Sequence, residues 1–136
     1  MRTERPAAGI LDTSVFIASE TKRPLQASLL PDEVATTVVT LAVLNAGVLA
    51  ARTAEIRARR LRTLDAVADM TALPVDEEAA QLWALLRVHL AETGRRMRVN
   101  DLWIAAIAAS KRLPLVTRDD DFDALEGVGD FAVIRV

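Results

Sequence analysis

Four aspartates stand where this chain could do chemistry: Asp12, Asp101, Asp119 and Asp121. Asp12 ends the greasy run GILD and is followed at once by two hydroxyl residues, Thr13 and Ser14. Asp101 lies near the start of NDLWIAAIAASKR (100–112), and Asp119 and Asp121 follow LPLVT (113–117). A carboxylate at the tip of a buried strand is costly unless something pairs with it. Two carboxylates about 4 Å apart repel by roughly 4 kcal/mol at an effective dielectric near 20. Three or four together therefore need a proton, an Arg or a divalent cation. Mg²⁺ and Mn²⁺ favour oxygen ligands. Such a cation with free positions binds a phosphodiester and makes water a better nucleophile. Ser14 could orient Asp12, a water or a phosphate oxygen by hydrogen bonding. Asn100 could do the same, although an N-cap role alone would explain it. Taken singly, each aspartate has a plainer use as a helix cap or turn residue.

The elements that must position these residues alternate. AAGILD (7–12) reads as a short buried strand, and TSVFIAS (13–19) as a helix capped by Asp12 or Thr13. VATTVVT (34–40) is β-branched and reads as a second strand. LAVLNAGVLAA (41–51) and AEIRARRLRTLDAVADM (54–70) read as helices, the latter with Ile56, Leu61, Leu64 and Val67 along one side. TALPV (71–75) reads as a strand. Asp76 then caps a long helix (77–94) whose Ala79, Leu82, Trp83, Leu86 and Leu90 form a core stripe, with Gly94 past its end. Leu85 and Val88 fall off that stripe and suit a subunit contact. Residues 100–112 read as a buried helix with Asn100 at its N-cap, LPLVT as a strand, 119–125 as a turn and short helix, and FAVIRV (131–136) as a last strand. Such alternation argues for an α/β fold, a parallel sheet with helices on both faces. Ligands of such sheets bind at the carboxyl ends of strands. If the strands ending at Asp12 and Thr117 are neighbours, three stretches of chain bring carboxylates to one edge.

Composition bounds the rest. The 136 residues, 51% of them hydrophobic, suit one domain spanning 1–136. There is no cysteine, hence no disulfide and no thiolate metal site. No apolar run approaches the roughly 18 residues of a membrane span. The N-terminal MRTERPAAGIL has too short an apolar stretch for a secretory signal, so a cytoplasmic location is expected. Net charge is −2 and names no partner, but its distribution is uneven. Residues 52–62 hold five Arg against one Glu, RRMR (95–98) adds three more, and 119–130 hold six acids and no base. Basic flanks around an acidic focus can attract a polyanion and still hold a cation. The sole histidine, His89, lies far in sequence from the acids. Trp83 and Trp103 fall at core spacing, and no phosphate-binding glycine loop is present.

Four stretches carry a resemblance: ILDTSVFIA (10–18), VVTLAVLNAGVLAA (38–51), RVNDLWIAAIAAS (98–110) and PLVTRDDDFDAL (114–125). Together they resemble PIN-domain proteins, and among these the VapC-type toxin ribonucleases of bacterial type II toxin–antitoxin pairs. The resemblance implies strand order 3-2-1-4-5, a Mg²⁺- or Mn²⁺-dependent acidic site and cleavage of RNA. It also implies a homodimer or a toxin–antitoxin hetero-oligomer, silenced by a cognate VapB-type antitoxin. It assigns the first acid to Asp12 with its hydroxyl on Ser14, the third to Asp101, and the late one to Asp119, with Asp121 able to share it. Similar proteins read T-x-A-E-L where this chain has TLAVL, so the second acid is replaced by Val43. Val43 cannot ligate a metal, and Asn45 points to another side of the helix. Weak metal binding and slow or absent cleavage are expected, with fold and partner binding retained. An engineered disarming change and natural divergence both account for Val43. Arg57, Arg59 and Arg60, with RRMR, are the candidates for holding RNA. A catalytically inactive antitoxin-binding domain is the rival reading. Receiver and phosphatase modules share the alternation but fit poorly: Ser14 stands where a phosphatase would place its second acid.

Overall fold

The computed structural model describes residues 6–136. The first five residues of the N-terminal segment discussed above lie outside it. Five strands run β1 (Ala8–Leu11), β2 (Glu33–Thr37), β3 (Ala72–Leu73), β4 (Leu115–Thr117) and β5 (Val133–Arg135). All pair in parallel in the order β3-β2-β1-β4-β5. Helices are α1 (Thr13–Glu20), α2 (Val38–Leu49), α3 (Ala54–Val67), α4 (Glu77–Glu92) and α5 (Val99–Ser110). The chain moves outward from β1 through β2 to β3, then returns across the sheet to β4. The gap between β1 and β4 at their carboxyl ends is therefore where strand order reverses, the place where such sheets bind ligands.

Strand periodicity separates two cores. Ile10 and Leu115 pack with Leu86, Leu90, Leu102 and Ile104 on one face. Their neighbours Leu11 and Val116 pack with Val15, Phe16, Leu44 and Val67 on the other. Successive strand side chains point to opposite faces, so each central strand feeds both cores. As the apolar composition of NDLWIAAIAASKR implies, α5 is almost wholly buried from Leu102 to Ala109, except for half-buried Trp103.

Several boundaries differ from the sequence reading. Val38, Val39 and Thr40 open α2 instead of extending β2, because the Thr37 hydroxyl accepts the Thr40 N–H at 3.1 Å and caps the helix there. Capping outweighs the β-propensity of those residues. Helix α5 begins at Val99 with Arg98 at its N-cap, so Asn100 lies inside the first turn and caps nothing. On α3 the packed stripe is Ile56, Arg60, Leu64 and Val67, at helical spacing, whereas Leu61 is 40% exposed. Asp76 caps α4 through the Ala79 N–H at 2.9 Å, as expected. Leu85 and Val88 are exposed on that helix.

Candidate active site

Asp12 follows β1 directly, caps α1, and is only 1% exposed. Its Oδ2 accepts the Ser14 hydroxyl at 2.8 Å, the Thr117 hydroxyl at 2.9 Å and, more loosely, the Ser14 N–H at 3.4 Å. The hydroxyls in turn accept backbone N–H groups. Arg118 donates to Ser14 at 3.0 Å and Asp119 donates to Thr117 at 3.0 Å. One oxygen atom thus ties the end of β1, the first turn of α1 and the end of β4 together. The other oxygen, Oδ1, is buried and has no hydrogen-bond partner among the described residues. A buried carboxylate oxygen without a donor is destabilising, and such exceptions call for a physical reason.

Asp12, Ser14, Asp101, Asp119 and Asp121 line a single cleft of about 460 Å³. Val43 lines it too, as do Arg23, Arg98 and Arg118. Three separated stretches therefore deliver carboxylates to one place: the end of β1, the first turn of α5 and the loop after β4. Their crowding has an electrostatic signature. Burial, and then the charges of Asp12, Asp121 and Asp119, push the Asp101 carboxyl up to about 6. Asp119 is also raised, first by burial and then by Asp12 and Asp121. Arg98 works against both shifts without cancelling them.

The acidic run at 119–130 divides by partner. Arg135 on β5 pairs with Asp123, and lies 3.7 Å from Asp120 and 3.6 Å from Glu126. Those three acids serve the sheet edge, which leaves Asp119 and Asp121 to the cleft.

The donor set is all oxygen, which suits a hard divalent cation. Among the described residues no three acidic or histidine side chains converge tightly enough to enclose an ion by themselves. The arrangement fits a hydrated ion, which needs only one or two carboxylates and keeps several waters. The bare Asp12 Oδ1 is the oxygen that such an ion would satisfy.

The three arginines singled out on α3 lie elsewhere. Arg57 donates to the Ala51 carbonyl at 3.3 Å and Arg60 to the Gly47 carbonyl at 2.6 Å, at the end of α2. Arg59 lines a separate depression with Phe16 and Glu20. His89 does not line the cleft, and Trp83 and Trp103 stack on each other at 5.2 Å. As a site residue Thr117 lies outside the sequence reading, as do Arg23 and Arg118 at the cleft, whereas Arg98, from the RRMR stretch singled out for holding RNA, lines it. A hydroxyl ending the strand beside Asp12 was the available signal for Thr117.

Comparison with known proteins identifies the family. The PIN domain family matches residues 9–128. Ribonuclease VapC5 of Mycobacterium tuberculosis is 66% identical over 131 residues, covering 96% of this chain and 97% of that protein. Ribonuclease VapC4 of the same organism is 38% identical over 119 residues, covering 88% and 92%. A crystal structure of VapBC-5, a member of the VapBC family of toxin–antitoxin systems from Mycobacterium tuberculosis, contains a chain that matches with a TM-score of 0.91 and 64% identity. That match covers 96% of this chain and all of the other. The chain belongs to the PIN-domain family, and within it to the VapC ribonucleases.

Proposed function

We propose that this chain is the toxin of a toxin–antitoxin pair, built as a divalent-metal-dependent endoribonuclease and weakened by Val43. The observation that carries the reading is the cleft itself. Asp12, Asp101, Asp119 and Asp121 share it, one Asp12 oxygen has no donor among the described residues, and Asp101 is pushed up to about 6. Asp12, Asp101 and Asp119 would hold the Mg²⁺ or Mn²⁺ ion, with Asp121 beside them. When bound, the ion supplies Lewis acidity toward water and the phosphodiester. Ser14 and Thr117 fix Asp12 in one rotamer by occupying Oδ2, so that Oδ1 alone remains available. Arg23, Arg98 and Arg118 place positive charge at the same cleft and suit the phosphates of an RNA strand. Val43 offers an apolar wall where similar proteins carry an acid, which removes one anionic ligand and some of the repulsion.

The named relatives support both ribonuclease chemistry and an antitoxin partner. The partner most consistent with them is a VapB-type antitoxin; an Arg from it would relieve the carboxylate crowding as a cation does. The test compares RNA cleavage in Mg²⁺ and in Mn²⁺ by this chain and by Val43→Glu. The substitution is expected to raise cleavage by about 10–100-fold, the usual weight of a residue that supports a metal site. Equal rates would refute the role given to Val43. Val43 also favours a second reading, a silent domain that only binds antitoxin. No cleavage by either protein in either metal, with antitoxin binding intact, would favour that reading.

A further inference from the structure

A second depression, of about 360 Å³, lies beside the acidic cleft. Val99, 66% exposed, lines both and forms the sill between them. The character changes across that sill. Arg87, Arg95 and Arg96 line the second groove, with Trp83 and Met97 adding apolar surface. Among the described residues, none of these three guanidinium groups makes an ion pair or a side-chain hydrogen bond. The α3 arginines contrast with them, because Arg57 and Arg60 already spend donors on the end of α2. The groove holds one more unused donor: among the described residues, the Trp83 indole N–H is buried without an acceptor. Unspent cations beside aromatic and apolar surface are what single-stranded nucleic acid binds, through backbone charge and base faces.

We propose that this groove is the track along which single-stranded RNA runs to or from the acidic cleft. Arg87, Arg95 and Arg96 hold backbone phosphates away from the reacting one, and Met97, Val99 and Trp83 meet a base. The proposal rests on the ribonuclease reading above and names the surface that reading leaves open. Arginine at all three positions suits phosphate, whose oxygens take a guanidinium fork in pairs. Continuity across Val99 commits the groove to the polymer that enters the cleft. An acidic segment of a protein partner is the competing occupant.

The protein carries its own reporter. It has two tryptophans and no tyrosine, and both tryptophans form the stacked pair beside this groove. The experiment titrates the full chain with a labelled 12-mer of oligouridine in EDTA, where no cutting occurs. Anisotropy is followed at several salt concentrations, together with tryptophan emission. Binding is expected to change the emission. Replacing the three groove arginines together (Arg87→Gln, Arg95→Gln, Arg96→Gln) is expected to lower the log–log salt slope by about 2, at roughly 0.7 per single-strand phosphate contact. The same change on α3 (Arg57→Gln, Arg59→Gln, Arg60→Gln) should move it far less. Unliganded tryptophan emission matching the parent verifies that each variant is folded. RNA binding with an unchanged slope in the groove variant, or with no change in emission, overturns the proposal and leaves the ribonuclease reading standing. So does an oligoglutamate of equal length that binds through these arginines while RNA binds the parent elsewhere. Failure of the parent to bind RNA at all would sink both readings together.

Discussion

Asp12 holds its two oxygens in unlike states, and that asymmetry gives the cleft its character. Oδ2 is saturated by two hydroxyls and an N–H, while Oδ1 has no partner among the described residues. Thr117, fully buried, is the hydroxyl whose loss should be felt most. Thr117→Val keeps the shape, removes a donor from the carboxylate and leaves the Asp119 N–H without its acceptor. Hydrogen bonds to charged groups contribute about 1.5–3 kcal/mol, and a buried group left unpaired costs about as much. Urea denaturation at neutral pH should show a loss of about 2 kcal/mol, with Thr117→Ser close to the parent. A valine variant as stable as the parent would mean that Asp12 does not need this bond. Ser14 was legible because it stands two residues from Asp12. Thr117 was not, since a threonine ending a β-branched strand looks ordinary and its partner is 105 positions away.

At the level of elements, β1 must lie close enough to β4 for Asp12 and Thr117 to meet. Gly9 permits that approach. A methyl group there would stand 2.8 Å from the Pro31 ring, 3.2 Å from Val116 and 3.3 Å from the Pro114 carbonyl. Neither a proline ring nor a backbone carbonyl can swing aside, so Gly9→Ala should destabilise the chain by about 1–3 kcal/mol, as overpacking does. It should also lower divalent-dependent cleavage in the Val43→Glu background, because the strand that carries Asp12 is displaced. Unchanged urea midpoint and cleavage would show that the sheet absorbs the methyl. Most elements were readable because period and capping agreed, as with Asp76 and the stripe on α4. Misreadings fell where two local preferences competed. Thr37 could extend a strand or cap a helix, and the cap prevailed. Asn100 has the chemistry of an N-cap, yet α5 starts one residue earlier, at Val99. Leu61 gave its place on the packed face of α3 to Arg60, whose half-buried guanidinium reaches the end of α2.

Across the whole molecule the fold acts as a sorter of charge. A net charge of −2 conceals an edge where aspartates from three stretches meet and a groove whose arginines go unpaired among the described residues. The gathering of the acids was legible from alternating elements and strand ends. Removal of Asp120, Asp123 and Glu126 by Arg135 was not, because that pairing forms only once β5 takes its place beside β4. The remaining crowding should be measurable as a dependence of stability on pH. Asp101 titrates at about 6 in the folded chain, against 3.8 as its ordinary value. Between those values the folded state binds more protons than the unfolded state, so stability falls as pH rises through the window. Asp119 is shifted in the same direction and adds to the trend. Above about pH 6 an ionised Asp101 is therefore a burden on the metal-free fold. Asp101→Asn removes the burden and should be the more stable protein at pH 7.5, by about 1–2 kcal/mol once partial exposure is allowed for. The gap should narrow only slightly at pH 6 and close near pH 3, below the ordinary value of 3.8, where the parent carries its proton in both states. Urea titrations in EDTA at those three pH values measure it directly. A variant that gains nothing at pH 7.5 would show that Asp101 feels neither its burial nor its neighbours, and the crowded-carboxylate account of the cleft would fail with it.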